Sequence, residues 1–168
     1  MAKATFYRHF PSKDDLVLAY LDRWFTERSA AIEAATERVG QGEGALLAVF
    51  GVLDDWFQRG AAEASAFLHV MIEMGPEHPL GRASISYLTR TREQLAALAE
   101  AAGLEDPEGF AWSSHILIKG AMVADAEGDR HAAERARLMA SLLIEHHRKH
   151  RGVTQLVTDF RPAAATAS

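Results

Sequence analysis

Cysteine is absent from this chain of 168 residues. Its absence excludes a disulfide framework, a thiolate metal site and catalysis by a cysteine nucleophile. It also fits the reducing cytoplasm, where we expect the protein to act. The most apolar stretch, Phe110 to Ala124, is interrupted by His115 and Lys119 and is too short to span a bilayer. The first residues carry no signal-peptide pattern, and we expect no membrane partner.

The motifs of the common enzyme classes are also missing. No glycine-rich phosphate loop follows a strand, and there is neither a nucleophile elbow nor an H-E-x-x-H run. Histidines and carboxylates are scattered along stripes that we expect to face solvent. We therefore expect a binding protein rather than an enzyme, with no cofactor and no metal.

The end of the last helix is the nearest thing to a metal motif. His146 and His150 are four residues apart and could chelate a metal ion from one helix face. The favoured alternative is a basic helix end, His146 to His150, in which the cations complement the helix dipole.

Apolar residues recur with helical spacing almost throughout, and no stretch shows the sustained two-residue alternation of a half-buried strand. The sequence therefore predicts an all-α protein. Ser12 with Asp15 forms a capping-box pattern, and Asp106 before Pro107 is typical of another helix start. With glycine and proline as stops, the predicted helices span about residues 2–10, 12–39, 45–59, 63–74, 81–102, 106–126 and 131–150.

Charge is unevenly distributed along the chain. Residues 1–13 contain Lys3, Arg8 and Lys13 and no acidic residue, although the whole chain has a formal net charge of −5. This asymmetry favours a polyanionic partner. At 100° per residue, Phe6 and Phe10 share one face of the first helix. The opposite face is then a polar ridge that could enter a major groove, with flanking groups placed to reach phosphates.

Residues 2–16, A-K-A-T-F-Y-R-H-F-P-S-K-D-D-L, resemble the recognition helix and the start of the next helix in the TetR family of transcriptional regulators. The resemblance implies that Phe6 and Phe10 hold a small DNA-binding domain together. It also implies a DNA-binding surface with backbone contacts from Thr5, Tyr7, His9 and Lys13, and with Lys3 and Ala4 near the bases.

By this resemblance the chain has three parts. Residues 1–38 are the C-terminal part of a helix-turn-helix domain, comprising the recognition helix and the start of a long linker helix. Residues 39–152 are a helical ligand-binding and dimerisation domain, and residues 153–168 are a C-terminal tail. The family has two further helices before the motif, so we expect this chain by itself to bind operator DNA weakly or not at all. One hypothesis is that the translation start is misplaced. A GTG codon that normally encodes valine would then have been read as the initiator and would appear as Met1.

A cluster of large side chains in the middle of the chain suits an apolar pocket with a few polar groups. The candidate ligand-binding residues are Trp56, Phe67, Met71, Met74, Tyr87 and His115. For each of these large side chains taken singly, ordinary core packing is the favoured interpretation.

The resemblance further implies a homodimer whose seam is formed by the helices at 106–126 and 131–150. Its apolar surface would come from Trp112, Ile116, Leu138, Leu142 and Leu143. We expect the polar interruptions His115, Lys119 and His146 to be partly exposed at this seam.

The function implied is that of a ligand-responsive regulator, commonly a repressor, that binds palindromic operator DNA as a dimer. Its effector would be a small, partly apolar molecule. The alternative is a free-standing ligand-binding or dimerisation module without DNA binding, which would act through inactive heterodimers.

Overall fold

A computed structural model describes residues 8–59 and 66–149 of the chain. These ranges contain six helices and no strand, which confirms the predicted all-α fold. The helices are α1 (Lys13–Val39), α2 (Glu43–Arg59), α3 (Ala66–Met74), α4 (Pro79–Ala101), α5 (Pro107–Ala126) and α6 (Ala132–Lys149). Arg8 and His9 are also helical and precede the turn at Pro11. The predicted tail lies outside the described residues.

Helix α1 begins at the predicted capping box. The Ser12 hydroxyl accepts a hydrogen bond from the Asp15 backbone N–H at 3.1 Å, and the Ser12 N–H donates to the Asp15 carboxylate at 2.9 Å. The helix ends at Gly40, whose φ of +78° suits glycine best. Its buried stripe consists of Leu21, Trp24, Phe25, Arg28, Ile32 and Ala35, at the spacing of one helix face.

The start of α5 is confirmed, because the Asp106 carboxylate accepts a hydrogen bond from the Gly109 N–H at 2.9 Å. Helix α4 begins two residues earlier than predicted. His78 caps it, since its Nδ1 accepts from the Leu80 N–H at 3.2 Å. Pro79 then occupies the first turn, where its missing N–H costs nothing.

The helices pack in two groups joined by a common core. Helix α1 lies against α2 and α4, while α5 lies between α4 and α6, and α6 returns to contact α2. The larger core cluster joins α1, α2, α3, α4, α5 and α6, and a smaller one is centred on Leu46, Phe110 and Ile144. Because one face of α1 is built into this core, a rearrangement of the core must act on α1.

Candidate functional site

The predicted DNA-contacting segment is described only in part. Lys3, Ala4, Thr5, Phe6 and Tyr7 lie outside the described residues. His9 is helical and exposed, and Lys13 is the exposed first residue of α1. Phe10, predicted to be a buried anchor, is half-buried.

The aromatic residues of the core form a connected cluster between α1, α2, α3 and α4. The ring of Trp24 lies 5.3 Å from that of Trp56 and 5.5 Å from that of Phe67. Tyr87 is 5.5 Å from Phe67 and is stacked on Phe25 at 5.0 Å. Three of the candidate ligand-binding residues are thus in one cluster, together with two α1 aromatics that had not been assigned to the site.

The two methionines proposed for this pocket differ from each other in burial. Met71 is half-buried and packs against the larger core. Met74, the last residue of α3, is 37% exposed and is not among the residues that pack against this core.

Arg28 is buried inside this core, and the sequence analysis had missed it. Its side chain is 3% exposed, and its Nε has no hydrogen-bond partner within the described residues. The guanidinium lies over the ring of Trp56, with Cζ 5.0 Å from the ring centre. Burial lowers the pKa of Arg28 from 12.5 to about 10, so the group stays charged at neutral pH.

His115 is also buried, which corrects the expectation of partial exposure at a dimer seam. It is 1% exposed, and its Nδ1 has no partner within the described residues. Burial, reinforced by the positive charges of Lys119, Arg28 and Arg92, lowers the pKa of His115 to about 3. The imidazole is therefore neutral at physiological pH. Lys119 and His146 are half-buried.

His147 departs from the predicted basic helix end. It is fully buried, with the edge of its ring against Phe110 at 5.7 Å, and neither ring nitrogen has a partner in the described ranges. Burial lowers its pKa, against an opposing effect of Asp106. Between residues 8 and 149, leaving out 60–65, no three His, Asp or Glu side chains are grouped to hold a metal ion.

A small cavity of about 70 Å³ lies beside Arg28, between α1 and α2. Its lining residues are Trp24, Glu27, Arg28, Ala31, Trp56 and Arg59. The carboxylate in this lining is already engaged, because Arg23 Nε lies 2.7 Å from Glu27 Oε1. The cavity thus combines two indole walls with two guanidinium groups.

Helix α4 contacts α1 at several points between the start of α1 and its middle. His78 Nε2 lies 3.6 Å from a carboxylate oxygen of Asp14, one residue beyond Lys13. Further along, the Tyr87 hydroxyl donates a hydrogen bond to Asp22 at 3.1 Å. These contacts connect the aromatic core to the N-terminal end of α1, which follows the predicted DNA-contacting segment.

The outer surfaces of α5 and α6 carry exposed apolar side chains, among them four of the residues predicted to form the dimer seam. Trp112 and Ile116 are 50% and 66% exposed, and Leu138 and Leu142 are 66% and 61% exposed. Leu143 is half-buried and lines a groove of about 420 Å³ between the two helices. An exposed apolar patch of this kind is typical of a protein–protein interface.

Two further features belong to the same surface. Val123 and Met139 are also exposed there, although the sequence analysis had not included them. The guanidinium of Arg92 covers the ring of Trp112 at 3.9 Å.

Across the ranges that the structure describes, none of the helices has both the length and the apolar character needed to cross a bilayer.

The chain is similar to one family of known proteins in its opening segment and in its fold. The sequence profile for bacterial regulatory proteins of the tetR family matches residues 1–20. The fold is similar to the crystal structure of a TetR-family transcriptional regulator from Streptomyces coelicolor, with a TM-score of 0.80 and 26% sequence identity over 89% of this chain and 80% of that one. No curated protein matches the chain significantly. The profile match and the similar fold together support a TetR-family transcriptional regulator.

Proposed function

We propose that this chain is a ligand-responsive transcriptional repressor that binds a palindromic operator as a homodimer in the cytoplasm, and that it acts by binding rather than by catalysis. The proposal depends on one observation, which is that α1 runs from the segment matched by the family profile into the buried core. The helix begins at Lys13, inside the segment that matches the family's DNA-binding profile, and its Arg28 and Ile32 are buried in the core. One rigid element therefore belongs to both the DNA-binding part and the core.

The proposed DNA contacts are Lys3, Ala4, Thr5, Tyr7, His9 and Lys13. Exposure of His9 and Lys13 supports their part in this assignment, because phosphate contacts require accessible side chains. In a dimer, two such segments would sit about one helical turn of DNA apart, in successive major grooves.

The proposed dimer forms through the apolar face of α5 and α6. Ile116 and Leu142 are each more than half exposed, although they lie beside a half-buried groove residue, Leu143. Pairing two copies of this face would remove the apolar surface from water and form a four-helix seam.

The proposed ligand site is the aromatic core, with Trp56, Phe67, Met71, Tyr87 and His115 as contacts and Met74 at its outer end. A ligand that separates the walls of this core would displace α1 directly, and also through the Tyr87–Asp22 and His78–Asp14 contacts. Because linkage is reciprocal, ligand and operator would then weaken each other's binding.

Selection from a random DNA duplex library tests the proposal. Two proteins should be compared: the chain as it stands, and the chain extended by the residues encoded immediately upstream of Met1. We expect at least the extended form to enrich a palindrome with half-sites about one helical turn apart. His9→Ala and Lys13→Ala should weaken binding, whereas Arg38→Ala, on the same helix but remote from the motif, should not. If neither protein enriches any sequence while both are folded dimers, the chain is a binding module and the regulator proposal is wrong.

A further inference from the structure

We propose that the core holds an anion site centred on Arg28, and that the effector is a small carboxylic acid with an aromatic or otherwise apolar body. The inference rests on the proposed function in one respect, which is that the aromatic core is the ligand site. It adds the chemical class of the ligand and the residue that recognises it.

The charge of Arg28 is buried without a carboxylate partner among the described residues. Transferring a guanidinium from water to the protein interior is unfavourable unless an anion or several hydrogen bonds compensate. Within the described residues, Nε of Arg28 has no partner, and burial is the only influence on its pKa. The guanidinium lies over the face of Trp56, and no ion pair joins Arg28 to a carboxylate among the described residues. An anionic ligand bound here would supply the counter-charge that this buried cation lacks.

The charged groups around the core are mainly cations. The charged groups that act on buried His115 are Lys119, Arg28 and Arg92, and all three are cations. The nearest acidic group to Arg28 in the cavity lining is Glu27, which pairs with Arg23. The surroundings therefore favour a negative ligand and disfavour a cationic one.

The cavity beside Arg28 has a lining and a volume that suit a carboxylate group. Trp24 and Trp56 form its apolar walls, while Arg28 and Arg59 supply guanidinium groups, which can bind a carboxylate through two parallel hydrogen bonds. A volume of about 70 Å³ accommodates a carboxylate group. Whole ligands occupy pockets of about 300–1,000 Å³. The body of the acid must therefore separate the walls, which belong to α1 and α2.

Titration calorimetry and thermal shift of the full chain with matched pairs of compounds test the proposal. The probes are benzoate, indole-3-acetate and octanoate, each compared with its primary amide, which has nearly the same shape and no charge. We expect at least one acid to bind and to raise the melting temperature, and its amide to bind at least tenfold more weakly. Arg28→Met should abolish the preference for the acid. Arg28→Lys should retain part of it, because lysine keeps the charge but not the paired donors.

Arg38→Met is the matched control, since Arg38 is an exposed arginine of the same helix. It should bind the acids as the original chain does. Circular dichroism of each variant establishes that it is folded, and Arg28→Lys provides the test if Arg28→Met is not. The proposal is overturned if none of the acids binds, if acid and amide bind equally, or if folded Arg28→Met and Arg28→Lys both bind the acid with unchanged affinity.

The outcomes also separate this proposal from the proposed function. If an operator is selected but no acid binds, the regulator stands and the anion site fails. If acids bind in an Arg28-dependent manner but no DNA is selected, the anion site stands and the regulator fails.

Discussion

The guanidinium carbon of Arg28 lies 5.0 Å from the ring centre of Trp56, and this contact joins α1 to α2 inside the core. A cation over an indole face contributes about 2 kcal/mol or more when both are desolvated. The desolvation of one buried ion costs several kcal/mol. On these magnitudes the contact offsets part of the cost of burying Arg28, and no carboxylate among residues 8–59 and 66–149 compensates its charge where α1 crosses the core.

Removing this charge should stabilise the unliganded protein. We expect Arg28→Met, which keeps most of the apolar stem, to raise the free energy of unfolding by about 1–3 kcal/mol in urea denaturation. Arg38→Met on the exposed part of α1 should change it by less than about 0.5 kcal/mol. A loss of more than about 2 kcal/mol in Arg28→Met would mean that Arg28 has a stabilising partner in the folded chain.

His115 should make stability depend on pH. Its pKa is about 3 in the folded chain against an ordinary value of 6.5, so between these values the unfolded chain binds a proton that the folded chain does not. Stability must then fall as the pH is lowered below 6.5, with a slope approaching about 1.4 kcal/mol per pH unit for one histidine.

The measurement is urea denaturation between pH 7 and pH 5. Replacing His115 by Leu should reduce the slope, while the contribution of buried His147, which has the same sign, should remain in both proteins. Equal slopes with and without His115 would show that this imidazole is not neutral and buried in the folded state.

Charge placed on the apolar face of α5 and α6 should dissociate the dimer. Burying a large aliphatic side chain contributes about 1.5–3 kcal/mol, so we expect Ile116→Glu or Leu142→Glu to raise the dissociation constant at least about 100-fold. Ile72, which is 75% exposed on α3, provides the control Ile72→Glu. Sedimentation velocity measures the proportions of monomer and dimer for each protein. A monomeric original chain at about 10 μM, or equal dissociation in the control, would contradict the assigned interface.

Helix starts were predictable wherever a side chain caps the backbone in the usual way. Ser12 with Asp15 and Asp106 with Pro107 are such cases, and both lie where expected. The start of α4 was misplaced because its cap is an imidazole, His78, and histidine is not among the preferred capping residues.

Buried polar residues were the main failure of the sequence reasoning. Arg28 lies four residues from both Trp24 and Ile32, and this spacing indicates that it shares the apolar face of α1 with them. Arginine at such a position commonly extends to solvent, however, and only packing decides whether it does. His147 was assigned to a basic helix end for a similar reason. Its turn is held against the α4–α5 connection, where the Glu105 N–H donates to the His147 carbonyl at 3.2 Å.

Occupation of the site at Arg28 should move the N-terminal end of α1, where the proposed DNA contact Lys13 lies. Arg28 is fifteen residues from Lys13, or about 22 Å along the helix, so a tilt of about 10° displaces that end by about 4 Å. Because the chain contains no cysteine, Lys13→Cys introduces a single spin-label site in each subunit. The most direct measurement is the label-to-label distance in the dimer, by pulsed electron resonance, with and without a saturating acid. We predict a shift of about 4 Å or more that is lost in Arg28→Met, and an unchanged distance at saturation would contradict the account.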